Sequence, residues 1–511
     1  MSNEPLTNSA SAQPGQVPGG GLTADESRRN RRVIGILLVS AFVVILNETI
    51  MSVALTELME DLDISARAAQ WLTTAFMLTM AVVIPVTGFL LQRFTTRQVF
   101  TAAMTLFSAG TLLAGVAPGF EVLLVARVVQ ASGTAIMMPL LMTTLMNLVP
   151  AEDRGKTMGN VSIVISVAPA IGPTISGIIL NALSWRWMFW LVLPIALAML
   201  LVGNRRIQNV SEPRQVPLDV PSVVLSAIGF GGLIYGLSQV GSGHGTTTAG
   251  PTSGAAMWIA FAAGGVALLV FLLRQLRLQR SDKALLDLRP FRAVNFSMSV
   301  GLMAVSMAAL FGTIILLPIY MQQVLGLEPL QIGLMLLPGG LLMGLLAPAV
   351  GRLYDKFGPT VLLVPGTVLV SAVLWYLSTV TENTAPLTLL GAHIVLSLGL
   401  ALLFTPLFTA GLGSVQRPLY SHGSAIIGTV QQVAGAAGTA MFVTVMSMQT
   451  AALTAGGADS STAVAGGVRA AFLAGAIISV VAVAASFFVR KPVEDETAEV
   501  AQKHAPVAHE A

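Results

Sequence analysis

Long apolar runs alternate with short polar gaps over most of the chain. Fourteen of these runs approach or exceed the roughly 20 residues that cross a bilayer. Six lie between residues 33 and 203, two between 221 and 276, and six between 296 and 489. The pattern predicts an all-α membrane protein with fourteen transmembrane helices, in which two six-helix bundles flank an inserted helix pair. Residues 1–32 are expected to form a disordered cytoplasmic leader, since the stretch is rich in Ser, Gly and Pro, and residues 490–511 a cytoplasmic tail.

The gaps carry charge in alternation. Arg93 and Arg97, Arg154 and Lys156, Arg205 and Arg206, the stretch from Arg274 to Arg292, Arg352 and Lys356, Arg417, and Arg490 with Lys491 fall in every second gap. Glu57, Asp61, Glu121, Glu328, Glu382 and Asp459 fall in the others. By the positive-inside rule the basic gaps and both termini are cytoplasmic, and an even number of spans agrees with that.

Composition sharpens the class. The chain is 54% hydrophobic and 10% charged, against about 25% charged in soluble domains. Its net charge of +3 sits in short loops, so it reads as membrane topology and not as nucleic-acid binding. There is no cysteine, hence no disulfide or thiolate metal site. The five His show no ligand spacing, and no G-x-x-x-x-G-K-[ST] nucleotide signature occurs. No paired acids or metal-spaced His lie within the spans, so an enzyme is not expected, nor a cofactor, and the proton gradient is the expected energy source.

One carboxylate lies well inside a run, Glu48, between Asn47 and Thr49. An ionised carboxylate in mid-membrane costs about 2.5–3.5 kcal/mol on insertion scales, so such a group holds its proton or faces a water-filled cavity. Glu48 is therefore a candidate proton carrier, with a structural hydrogen-bonding acid as the alternative. Arg127, in Arg127-x-x-Gln130-x-x-Gly133 on the fourth run, is the basic group placed to face the interior and to adjust the proton affinity of a carboxylate; snorkelling to headgroups is its alternative. On the fifth run, Ala168, Gly172 and Ser176 form a small-residue stripe for close helix contact. Pro169 and Pro173 bend that helix, so the stretch from Pro169 to Gly177 is a candidate hinge or seal, or plain packing.

Duplication shows in the turns. Gly88-x-Leu90-x-Gln92-Arg93 follows the second run of the first six, and Gly351-x-Leu353-x-Asp355-x-x-Gly358 the second run of the last six, as in a transporter built of repeated halves. Asp355 is a candidate cytoplasmic latch or an ordinary solvated charge. Gln431, Gln432, Asn295 and His393 are polar groups in or beside apolar spans. The segment from Trp185 to Trp190 reads as an interfacial anchor.

Together these residues resemble the major facilitator superfamily, and within it the fourteen-helix drug:proton antiporters of the EmrB/QacA type. The resemblance rests on Arg127-x-x-Gln130-x-x-Gly133, on Pro169-x-x-Gly172-Pro173-x-x-x-Gly177, on the Gly351–Gly358 loop signature, and on Trp185-Arg186-Trp187 and Val53-Ala54-Leu55. It implies the major facilitator fold and alternating access, with protons entering a bacterial cell in exchange for a small, largely hydrophobic organic compound. It also implies a multi-pass protein in the cell membrane; the expected partners are substrate, protons and the lipid bilayer, with no nucleic acid, and the expected state is a monomer. Expected substrate contacts are Phe42, Asn47, Phe76, Gln130, Phe404 and Gln431. An exporter of an endogenous metabolite or lipid, or a proton-coupled uptake symporter, would share most of these features. Two departures stand out. Asn47 holds the position where the family carries Asp, and Gln92 stands where the first loop signature expects Asp.

Overall fold

A computed structural model describes residues 24–51, 54–209, 213–214, 217–242 and 251–491. Val53, residues 1–23 of the expected leader, 492–511 of the expected tail and 243–250 of the loop between the inserted helices lie outside the described residues. The first group of helices is α1 (Ala24–Ile50), the short α2 (Leu55–Asp61), α3 (Ala66–Arg93), α4 (Thr96–Gly115), α5 (Phe120–Leu148), α6 (Arg154–Ala182) and α7 (Arg186–Arg206). The inserted pair is α8 (Val220–Ser242) and α9 (Pro251–Leu278). The last group is α10 (Val294–Gln323), α11 (Pro329–Phe357), α12 (Thr360–Leu377), α13 (Pro386–Gly413), α14 (Tyr420–Ala455) and α15 (Ser460–Ser486). All but α2 are long and apolar enough to cross a membrane, giving fourteen spans among the described residues.

Helices α1 to α7 pack among themselves, as do α10 to α15. The two groups meet chiefly through α6 on α11 and α3 on α14. These are the second and fifth spans of each group paired crosswise, which is what two related halves facing each other would make. Helix α8 lies across the seam, against both α3 and α14, and α9 packs against α8. Asp219 pins the pair through a two-point ion pair, accepting from Arg274 Nε and Nη2 at 2.7 Å each. Those hydrogen bonds hold the Asp219 carboxyl below the usual carboxylate range. A depressed acid contributes its stability above the unfolded value of about 3.9 and loses it only as pH falls through the lower folded value. Amide exchange at the start of α8 is therefore expected to show no pH-specific loosening between pH 5 and 8. Asp219→Asn should speed it several-fold at pH 7, and exchange equal to wild type would remove the pin.

Three expectations are corrected. First, α1 begins nine residues before the expected span and ends six before it, at Ile50. Part of the expected leader is thus helical, docked where Asn30 Nδ2 donates to the Leu148 carbonyl at 3.3 Å. Second, Glu48 consequently lies in the last turn of α1, not mid-span. Third, the Trp185–Trp190 segment is only partly a membrane anchor. Trp187 and Trp190 are exposed, but Trp185 is 1% exposed and donates Nε1–H to Asp61 at 2.8 Å. Arg186 joins the same carboxylate at 3.0 Å, so the pair ties α2 to the start of α7.

Candidate functional site

The last turn of α1 meets α5 and α6. Glu48 is half-buried and feels the charge of Arg127. No N···O contact under 4.0 Å joins Glu48 to Arg127, so the two charges act on each other across a gap. Asn47, one residue earlier, is 2% exposed; one helical step turns a side chain by about 100°, which sends Asn47 into packed protein.

Arg127 is held rigidly. It is 1% exposed, its guanidinium lies 4.1 Å from the centre of the Phe76 ring, and Nη1 donates to Gln130 Oε1 at 2.6 Å. Gln130 Nε2 in turn donates to Thr111 Oγ1 on α4 at 2.8 Å, and Thr111 donates to the Phe107 carbonyl at 2.7 Å. A planar, always-charged group stacked on a ring and fixed by a relay of amide and hydroxyl keeps one orientation. Arg127 Nε and Asn47 Oδ1 are both buried with no protein hydrogen-bond partner. Thr111 was missed in the sequence, where a lone Thr in an apolar run carries no signal.

Several expected substrate contacts have other surroundings. Phe76 and Gln130 are fully buried as the floor and brace of Arg127, and Phe404 is packed in the main hydrophobic core. In this conformation none of the three presents surface to a ligand. Phe42 and Gln431 are half-buried, and Gln431 Nε2 lies 4.0 Å from Met303 Sδ.

The stripe on α6 faces its own bundle. Gly172 is packed so closely on Thr49 that a Cβ would collide with the Thr49 hydroxyl, and Ser176 donates to Met188 Sδ on α7 at 3.4 Å. Thr49, next to Glu48, donates to the Leu46 carbonyl at 2.9 Å. The opposite side of α6 makes the seam with α11: a Cβ on Gly159 would lie 2.5 Å from the Ala347 carbonyl oxygen, and one on Gly340 2.6 Å from Ala170 Cβ. The stretch from Pro169 to Gly177 therefore links the Glu48 turn to the interface between bundles. Gly177 itself packs on nothing, because a Cβ there would meet open space.

At the end of the molecule that carries the basic loops, the halves are locked together. Asp355 accepts from the Gly155 and Lys156 amides at 2.8 Å each. These are the first free N–H groups of α6, where a helix favours negative charge. Gly351 lies against Gly155 so tightly that a Cβ would strike its carbonyl. Gly358 ends α11 at φ 80°, ψ −178°, a conformation essentially restricted to glycine. The first half repeats the arrangement: Gly88 packs on His422 near the start of α14, and Gln92 Nε2 donates to the Pro418 carbonyl at 3.1 Å. With Gln in place of Asp, this copy donates to the turn before α14 instead of accepting from its amides. Arg93 is exposed. Thr143 with Ser424 at 2.8 Å and Ser162 with Thr405 at 2.7 Å close the same end. Among the described residues, every hydrogen bond between N and O atoms that joins the two bundles lies in this half of the spans.

Fourteen membrane-crossing helices in two facing bundles, with the seam sealed at one end and a charged pair nearer the other, are the frame of a membrane transporter. The chain belongs to the Major Facilitator Superfamily, whose family model matches residues 37–439. It is 42% identical over 465 residues to an uncharacterised MFS-type transporter, YcnB, of Bacillus subtilis, covering 91% of this chain and 96% of that one. It is 39% identical over 475 residues to the lincomycin resistance protein LmrB of Listeria monocytogenes, covering 92% and 98%. It is 28% identical over 425 residues to a multidrug resistance protein B homolog of Mycobacterium tuberculosis, covering 82% and 76%. Among solved structures, the proton:xylose symporter XylE matches with a TM-score of 0.61 at 14% identity, covering 93% of this chain and 99% of that one. That likeness speaks to the fold alone.

Proposed function

We propose that the protein exports small, largely hydrophobic organic compounds across the cytoplasmic membrane in exchange for protons. The observation that carries the coupling is Glu48, half-buried in the last turn of α1 and facing the fixed charge of Arg127 across a gap. A proton arriving on Glu48 cancels that attraction, and because Thr49 bears directly on Gly172, the change is passed to α6 and so to the seam with α11. Asp355 and Gln92 act as latches of the closed end, which the positive-inside rule assigns to the cytoplasm. Protons then reach Glu48 from outside and substrate from inside in the alternate state. Each chain carries both bundles, so a monomer suffices.

The direction of transport draws on the relatives. Proteins named for lincomycin and multidrug resistance align over 92% and 82% of the chain, and this favours drug efflux over symport. Growth inhibition across a compound panel that includes lincomycin, with and without the protein, tests this. Resistance to at least one compound, lost on adding a protonophore, is the expected result. A reporter fused after Arg292 should read cytoplasmic, and an external reading would overturn the topology.

A further inference from the structure

At the basic-loop end, α1 and α7 enclose a cleft of about 750 Å³ between them. Its rim is formed by Arg29 and Arg32 of α1 with Arg205 and Arg206 of α7. Below the rim the walls are apolar, with Ile36 and Val39 on one side and Met199 and Val202 on the other.

The order of residues along each helix is what matters. Positions 29, 32, 36 and 39 share one face of α1, and 199, 202 and 206 share one face of α7. Each helix therefore presents arginine at the end and aliphatic side chains one to three turns deeper. At 1.5 Å per residue the face from Arg29 to Val39 runs about 15 Å, enough for a phosphate headgroup and the upper part of its acyl chains.

Some arginines at this end have protein partners for their side chains, while others, such as Arg93, Arg277, Arg280 and Arg352, have none among the described residues. Arg274 pairs with Asp219, Arg289 with Asp282 and Asp287, and Arg154 donates to the Met146 and Val149 carbonyls. The side chains of Arg29, Arg32, Arg205 and Arg206 make no hydrogen bond or ion pair among the described residues, and the four share one cleft. Four like charges around one cleft repel one another unless an anion neutralises them. Topology alone asks for positive charge near the span ends, but not for four unpaired guanidinium groups over a shared greasy slot.

We propose that this cleft binds an anionic phospholipid, its phosphate among the four arginines and its chains along Ile36, Val39, Met199 and Val202. Basic pockets between transmembrane helices on the cytoplasmic side hold such headgroups in general. Because α1 carries Glu48 at its far end and packs on α6, lipid seated here braces the helix that bears the coupling acid.

The test uses the full chain in detergent, titrated separately with phosphatidylglycerol, phosphatidylcholine of the same chains, and inorganic phosphate, with binding read by native mass spectrometry. Phosphatidylglycerol should be retained, and phosphatidylcholine and phosphate should not. An arginine near an anionic surface is worth about fivefold in binding, so Arg32→Gln with Arg206→Gln should weaken retention about 25-fold. Arg32→Lys with Arg206→Lys should keep most of it. All four side chains are exposed, so the variants should elute as wild type does. Equal retention of phosphatidylcholine, an equal response to free phosphate, or no difference between wild type and the Gln variant would each overturn the lipid site. None of these results depends on whether the protein is a drug exporter.

Discussion

Gly351→Val is expected to stop transport while leaving a folded protein whose basic-loop end stands open. At this position the α6 and α11 backbones touch. A Cβ on Gly351 would lie 2.7 Å from the Gly155 carbonyl carbon and 3.1 Å from Lys156 Cα, and backbone cannot swing aside as a flexible side chain does. The helices must separate, and separation also pulls Asp355 from the two amides it accepts. Overpacking of this kind costs about 1–3 kcal/mol, which moves a two-state population roughly 5- to 150-fold. Spin labels on cysteines introduced at exposed Arg97 and Arg352 report the gap directly, since the chain has no native cysteine. The variant should show the longer distance and lose transport. A short distance with wild-type transport would mean that the seam is not what moves.

Glu48→Gln should reduce pH-gradient-driven transport to the level of protein-free vesicles. The amide has the shape of the protonated acid but cannot release a proton, so the turn facing Arg127 stays in one electrostatic state. Substrate exchange without a gradient needs no proton release and should persist, which separates loss of coupling from loss of folding. Glu48→Asp withdraws the carboxyl by one methylene and should keep part of the activity. Asn47→Asp with Glu48→Gln moves the acid by one helical step into packed protein, so rescue should be small. Transport in Glu48→Gln that still follows the pH gradient would leave Glu48 as a structural acid.

The fourteen spans were legible because length and hydropathy survive any tertiary detail. The repeated loop was legible too: Gly351, Asp355 and Gly358 each need a backbone geometry or a helix terminus that few residues satisfy. What the sequence concealed is specific. The apolar run through Thr56 gives no sign that α1 stops at Ile50, and Arg28–Arg32 look like a loop although Asn30 docks them as helix. Trp185 has the composition of an interface anchor, and only its bond to Asp61, 124 residues away, shows otherwise. The stripe of Ala168, Gly172 and Ser176 announces close packing but not its partner, which is α1 and α7 within the same bundle. The seam with α11 uses Gly155, Gly159 and Ala170 instead. Phe76 and Phe404 looked equally suited to a substrate, yet one supports Arg127 and the other fills the core.

Proton exchange through Glu48 is most directly tested in vesicles containing the purified protein, acid inside, with a transported compound added outside and no ATP. The compound should accumulate above its external concentration while adding it makes the interior more alkaline; Glu48→Gln should abolish both, and collapsing the gradient beforehand with a protonophore should abolish the accumulation. Accumulation that persists with the pH gradient collapsed, or that requires ATP, would contradict proton exchange through Glu48.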